Sequence, residues 1–150
     1  MYQSLIYVSR SCLRLPEQAA EIDRIVCGST ERNAILAVRG ALIFTERHFA
    51  QILEGPEASI VELMRSIERD RRHEQVTVIE SRRIPGYRFS DWSLCYWGDA
   101  SYMDDQVARV LDKVKALGEP DDGPRLLDLF QTLSRARRDQ RGPIGKPSKR

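Results

Sequence analysis

The sequence predicts an α+β fold of the ferredoxin-like kind, β-α-β-β-α-β-β, with a five-stranded mixed sheet. Three observations carry this. Runs of β-forming residues alternate with helical apolar spacing in that order. Only Thr45-Glu46-Arg47 separates two consecutive strand runs, a length suited to a hairpin. Finally, the strands carry apolar side chains on both faces, so the sheet needs cover twice.

Residues 4–9 (Ser-Leu-Ile-Tyr-Val-Ser) read as the first strand, with Leu5, Tyr7 and Ser9 on one face and Ile6 and Val8 on the other. Pro16-Glu17 suits a first helical turn, and Ala19, Ile22, Ile25 and Val26 continue as an apolar stripe. Residues 36–44 and 48–54 form the hairpin strands. Gly55-Pro56-Glu57 then marks a change, and Ile60, Leu63, Met64 and Ile67 follow i, i+3, i+4, i+7 spacing. Val76–Ile79 and Ser93–Trp97 supply the fourth and fifth strands. Right-handed crossovers put both helices on one face. The other face is assigned to a C-terminal helical pair: Val107, Val110, Leu111, Val114 and Leu117, then Leu126, Leu129, Phe130 and Leu133. The domain reading is therefore a core over 1–98, a helical pair over 99–134 and a basic, disordered tail over 135–150. Tyr96 and Trp97 are expected to pack against the C-terminal helices.

The 150 residues are 41% hydrophobic and 31% charged, the composition of an ordinary globular domain. No apolar run reaches the ~18 residues of a membrane span, and the N-terminus lacks a signal-peptide pattern. The cysteines, Cys12, Cys27 and Cys95, are odd in number and widely spaced, which speaks against a disulfide framework or a zinc site. A cytoplasmic protein is expected. The formal net charge of +2 hides an asymmetry: the tail holds seven basic residues and one acid, leaving 17 basic and 21 acidic residues before it. Such a tail reads first as a solvated end, and nucleic acid is not an expected partner. His48 has no nearby acid or cysteine to complete a metal motif. Gly28-Ser29-Thr30 is too short for a phosphate loop, and no nucleophile elbow occurs.

Several side chains look wrong for a plain core. Gln51 shares its predicted face with Phe49 and Leu53, beneath the first two helices. A buried amide left unpaired costs about 1–3 kcal/mol, so Gln51 requires partners. Tyr7 and Ser9 offer hydroxyls on the same face, and Asn33, at the entry to the second strand, offers another amide. Singly, each suits a satisfied core cluster or a helix cap. Together, facing a space between two helices, they outline a site for a flat ligand with polar edges.

The order Leu5-Ile6-Tyr7-Val8-Ser9, Asn33, Gly40-Ala41-Leu42, Phe49-Ala50-Gln51-Ile52-Leu53-Glu54-Gly55 resembles that of BLUF domains. Asp70-Arg71-Arg72-His73 and Arg88-Phe89-Ser90-Asp91-Trp92 extend the likeness, which covers about residues 2–98. It implies a blue-light sensor using FAD, not an enzyme, with the isoalloxazine ring between the two helices. Tyr7 is then the photochemical electron donor, Gln51 stands between its hydroxyl and the flavin, and Asn33 bonds the ring edge. Asp70, Arg72, His73, Ile25 and Ile67 complete the expected cofactor-binding set. Trp92, Leu94 and Ser9 are the expected signalling residues, Ser9 as the serine that holds the tryptophan in one arrangement. A phenol can release an electron and a proton together, and an amide can exchange its donor and acceptor ends.

Two departures bear on output. Leu94 stands where the family usually has methionine, losing a polarisable sulfur. Arg39 stands where a small hydroxyl residue is common; it should point away from the flavin and reach solvent, an acid or another chain. Signalling is expected through the last strand and C-terminal helices to an unidentified downstream protein or through homo-oligomers. A ferredoxin-like electron-transfer flavoprotein and a flavin-free interaction module are the alternatives.

Overall fold

β1 (Tyr2–Ser11) pairs antiparallel on both sides, with β3 (His48–Pro56) and with β4 (His73–Ile84). β2 (Arg39–Thr45) completes the hairpin with β3 and pairs in parallel with β5 (Trp92–Gly98). The order across this five-stranded mixed sheet is β4-β1-β3-β2-β5. A computed structural model provides the coordinates, describing residues 2–98, 105, 109 and 122–141. The expected fold class holds.

Both faces are covered, as the alternation along β1 requires. Leu5 and Tyr7 join one cluster with Ile22 of α1 (Ala20–Ile35) and Ile60, Leu63, Met64 and Ile67 of α2 (Glu57–Arg69). Ile6 and Val8 join a second cluster, with Leu126 and Phe130 of α3 (Asp122–Arg141). Fully burying an aliphatic or phenyl side chain of this kind stabilises by about 1.5–3 kcal/mol, so neither face tolerates exposure.

Several boundaries differ from expectation for identifiable reasons. The segment at Pro16-Glu17 is a turn, not the first turn of α1: Arg14 N–H donates to Gln18 Oε1 at 2.7 Å and Gln18 N–H to the Arg14 carbonyl at 2.8 Å, closing the chain before the helix starts. β4 runs far beyond Val76–Ile79, because it lies at a sheet edge where Glu80, Arg82 and Arg83 can pair by backbone and keep their side chains wet. Asn33 lies in the last turns of α1, not at a strand entry. α3 continues to Arg141, so residues 135–141 are helix and not tail. Nothing in Arg135-Ala-Arg-Arg-Asp-Gln-Arg141 breaks a helix before Gly142-Pro143, and arginine favours helix. Residues 142–150 lie outside the described residues. So does most of the expected helix near 107–117; Asp105 and Arg109 are helical.

Trp97 is also placed differently. The β2–β5 pairing steps from Leu42↔Leu94 to Ile43↔Tyr96, leaving Cys95 as an extra residue. The slip moves Trp97 to the side of α1 and α2, where its ring lies 6.4 Å from that of Phe44 and 46% of its surface is exposed.

Gly40 binds the sheet closely. Its φ of +147° is a conformation that L side chains rarely adopt, and a Cβ there would lie 1.9 Å from the Ile52 carbonyl oxygen. Gly40→Ala is expected to lower the unfolding free energy by roughly 2–4 kcal/mol, read as a lower urea midpoint.

Candidate functional site

Gln51 sits at the centre of the α1–α2 face with both ends of its amide bonded. Trp92 Nε1 donates to Gln51 Oε1 at 2.8 Å, and Gln51 Nε2 donates to Tyr7 Oη at 2.6 Å. The indole fixes this orientation: its nitrogen can only donate, so the amide oxygen must face it and the NH₂ must face Tyr7. Three strands deliver the trio. Tyr7 and Gln51 are direct partners across β1 and β3, and Trp92 enters β5 opposite Gly40 of β2. Tyr7 and Gln51 are buried, and burial drives the Tyr7 phenol pKa far above its ordinary value, outweighing the Gln51 bond and the Arg32 charge that favour ionisation. Tyr7 is therefore a neutral phenol across the physiological range.

Above this trio, α1 and α2 enclose a cleft that opens to solvent. Tyr7, Gln51, Ile25, Ile67, Asp70, Arg72 and His73 all line it, seven of the eight residues expected to contact a cofactor. Asn33, the eighth, is not among the lining residues. It is fully buried near the end of α1, with neither end of its amide bonded. Such an orphan costs about 1–3 kcal/mol per lost bond, which a ligand with a polar edge can repair.

One wall of the cleft is built by a hydrogen-bond chain through His73. His73 Nε2 lies 2.5 Å from the Ile67 carbonyl, which can only accept, so this nitrogen carries a proton. In the neutral ring Nδ1 then accepts from Ser9 Oγ at 2.7 Å. Ser9 is thus tied to His73 while Trp92 is tied to Gln51 in this arrangement. Leu94 is half-buried against the α1–α2 cluster, opposite Leu42, the β2 neighbour of Gln51.

Charge gathers at the rim. Arg72 grips Asp70 through Nε–Oδ1 at 2.9 Å and Nη2–Oδ2 at 2.6 Å, and reaches Glu21 at 3.7 Å. Burial alone would raise the Asp70 pKa, but the bonds and charge of Arg72 prevail and hold it below the ordinary carboxylate value. Arg32 bridges the two helices, donating to Ser66 Oγ at 3.3 Å. Sequence reasoning missed Arg24, Gly28, Ser29 and Arg32 as lining residues. Their spacing from Ile25 along one helical face was the available signal, obscured because charged and small residues read as solvent-facing. No group of three or more metal-ligating side chains occurs among the described residues.

These features fit a flavin. A flat ring with alternating donors and acceptors suits a cleft floored by a phenol and an amide, with an unpaired buried amide near the end of α1 and guanidinium groups at its mouth.

Comparison with known proteins agrees. The family described as BLUF, sensors of blue-light using FAD, matches residues 2–95. The blue light- and temperature-regulated antirepressor BluF of Escherichia coli (strain K12) is 31% identical over 134 residues, 89% of this chain. The chain spans only 33% of that protein's length. A photoactivated adenylate cyclase subunit beta of Euglena longa is 30% identical over 61% of this chain and 10% of its own. Among solved structures, the dark state of BlrB, a BLUF protein, is 30% identical with a TM-score of 0.67, covering 90% of this chain and 96% of its own.

The Asp70–Arg72 pair sets a pH dependence. Because the folded Asp70 pKa lies below its ordinary 3.8, the pair's stabilisation is complete above that value and is lost as pH falls through the folded value. Arg72→Gln should therefore lower the melting temperature at neutral pH, and the difference from the parent should shrink as pH falls below the ordinary carboxylate range. Thermal melts across that pH range check this.

Proposed function

This chain belongs to the BLUF family of blue-light sensors that use FAD, and we propose that Tyr7, Gln51 and Trp92 form its switch. Bound FAD supplies the blue-absorbing chromophore and, once excited, an electron acceptor. The buried Tyr7 phenol would give up an electron and its proton together, both to the excited flavin, since releasing either alone would leave an uncompensated charge in a low-dielectric site. The transient change at the phenol alters what Gln51 is bonded to. The amide responds by exchanging its donor and acceptor ends, through rotation or tautomerisation, without net gain or loss of atoms. When electron and proton return, the hydrogen-bond pattern remains changed until thermal recovery.

The observation that carries this reading is Gln51, bonded to a phenol by one end and to a donor-only indole by the other. Reversing the amide presents NH₂ to Trp92 Nε1, which cannot accept, so the indole must give way and β5 with it. Asn33 holds the ring edge, while Ile25, Ile67, Asp70, Arg72 and His73 form the walls. Ser9 supports the His73 wall in the arrangement described above. The output then runs from β5 to the helical segment on the reverse face, and from there to a partner protein or a second copy of the chain. The named roles of the relatives, antirepression and light-driven cyclase activity, favour a protein target. No helix of the described residues is long and apolar enough to cross a membrane. Cys12, Cys27 and Cys95 form no disulfide among the described residues, in keeping with a cytoplasmic setting.

The test is an absorption spectrum of purified protein before and after blue light. A yellow protein with a small red shift that recovers in the dark is expected. Gln51→Leu and Tyr7→Phe should each retain flavin and lose the reversible shift. A persistent shift in either variant overturns the mechanism, and a chain that stays colourless after reconstitution with FAD overturns the reading altogether.

A further inference from the structure

On the reverse face of the sheet, three residues beyond Gln51 on β3, a fully buried carboxylate collects bonds from one loop. Glu54 Oε1 accepts from the backbone N–H groups of Arg88 at 2.7 Å and Phe89 at 3.1 Å, and Oε2 accepts from Arg88 Nε at 2.6 Å. Arg88 Nη2 donates in turn to Ser4 Oγ of β1 at 2.7 Å. The same loop is held at neighbouring points. The Tyr87 hydroxyl donates to the Ala37 carbonyl at 2.6 Å, and its ring lies under the Arg39 guanidinium at 4.0 Å. Gly40 N–H donates to the Asp91 carbonyl at 2.9 Å, one residue before Trp92.

We propose that the Glu54–Arg88 pair is a positioning device for the light switch, pinning the 85–91 segment so that Trp92 reaches Gln51. The inference rests on the function proposed above. Its physical ground is register. β5 is an edge strand paired with β2 alone, and its parallel ladder slips at Cys95, so what holds the start of β5 matters for where Trp92 lies. A slide of one residue would turn Trp92 to the wrong face. Apolar packing tolerates small translations, whereas four directional bonds to one carboxylate and its arginine do not. A buried ion pair is a poor source of stability compared with apolar residues of similar volume, and a better source of geometric specificity. Arg39, which departs from the usual family residue, joins the same clamp through Tyr87.

The test uses the full chain carrying Trp97→Phe, which leaves Trp92 as the sole tryptophan. Dynamic quenching of Trp92 by acrylamide is measured in the dark, well below the melting temperature, in flavin-loaded protein. Glu54→Gln should raise the quenching constant about threefold or more, the population change expected from losing one hydrogen bond of ordinary strength. Arg88→Lys, which keeps the charge and the backbone donors but loses the side-chain fork across Glu54 and Ser4, should raise it as well, by less. Ile6→Val, destabilising the same reverse-face core without touching the clamp, should leave it unchanged. Native quenching in Glu54→Gln, or an equal rise in Ile6→Val, overturns the proposal. If Glu54→Gln does not fold, Tyr87→Phe decides: raised quenching supports the clamp and native quenching overturns it. A parent protein that binds flavin but shows no light-induced shift defeats the proposed switch, while the dark quenching series still judges the clamp.

Discussion

A buried amide must be bonded at both ends, and much of this structure serves that requirement at Gln51. Its nitrogen needs an acceptor from β1, its oxygen a donor from β5, and the two strands lie on opposite sides of β3 and β2 in the sheet order. The hairpin sets the first partner by direct register, Tyr7 opposite Gln51. The second comes from the start of β5, where Trp92 pairs with Gly40 of β2 and follows a loop bonded to Glu54 on the reverse face. An amide satisfied in this way is stable in either of two polarities only if its partners can also change. A phenol accepts or donates; an indole only donates. The asymmetry gives the site one resting polarity, and in the proposed switch the indole is the element that must move.

The fold was legible because its determinants are local and periodic. Strand alternation at Leu5–Ser9 and Phe49–Leu53 assigned residues to the faces where they are found, and the apolar spacing of Ile60–Ile67 defined α2. What escaped depended on pairing and not on composition. β4 looked short because edge strands need no apolar pattern, and Trp97 went to the wrong face because the register shift between Leu94 and Tyr96 changes the alternation. Residues 135–141 looked disordered because charge density was weighed above helix propensity in a stretch with no breaker.

The site was legible in a different way. Tyr7, Gln51 and Asn33 stand out as polar groups where aliphatic ones belong, and the family resemblance brought Asp70, Arg72 and His73 to the same cleft. Glu54 escaped notice although it lies within the most recognisable run of the chain. Charged residues in strands read as solvent-facing, and its arginine partner is 34 positions away. Arg32 was missed for the same reason, as a helical charge whose burial depends on a neighbouring helix.

The helical state of residues 135–141 changes what the arginines there can do. As a flexible tail they would lose about 1–2 kcal/mol of backbone freedom per residue on meeting an acidic surface. On a helix continuous with the turns that bury Leu126 and Phe130, that ordering has already occurred during folding. A displacement of α3 on the sheet would also carry this charged end with it as a lever, so a shift at the core reaches its tip as a change of position and not only of tension.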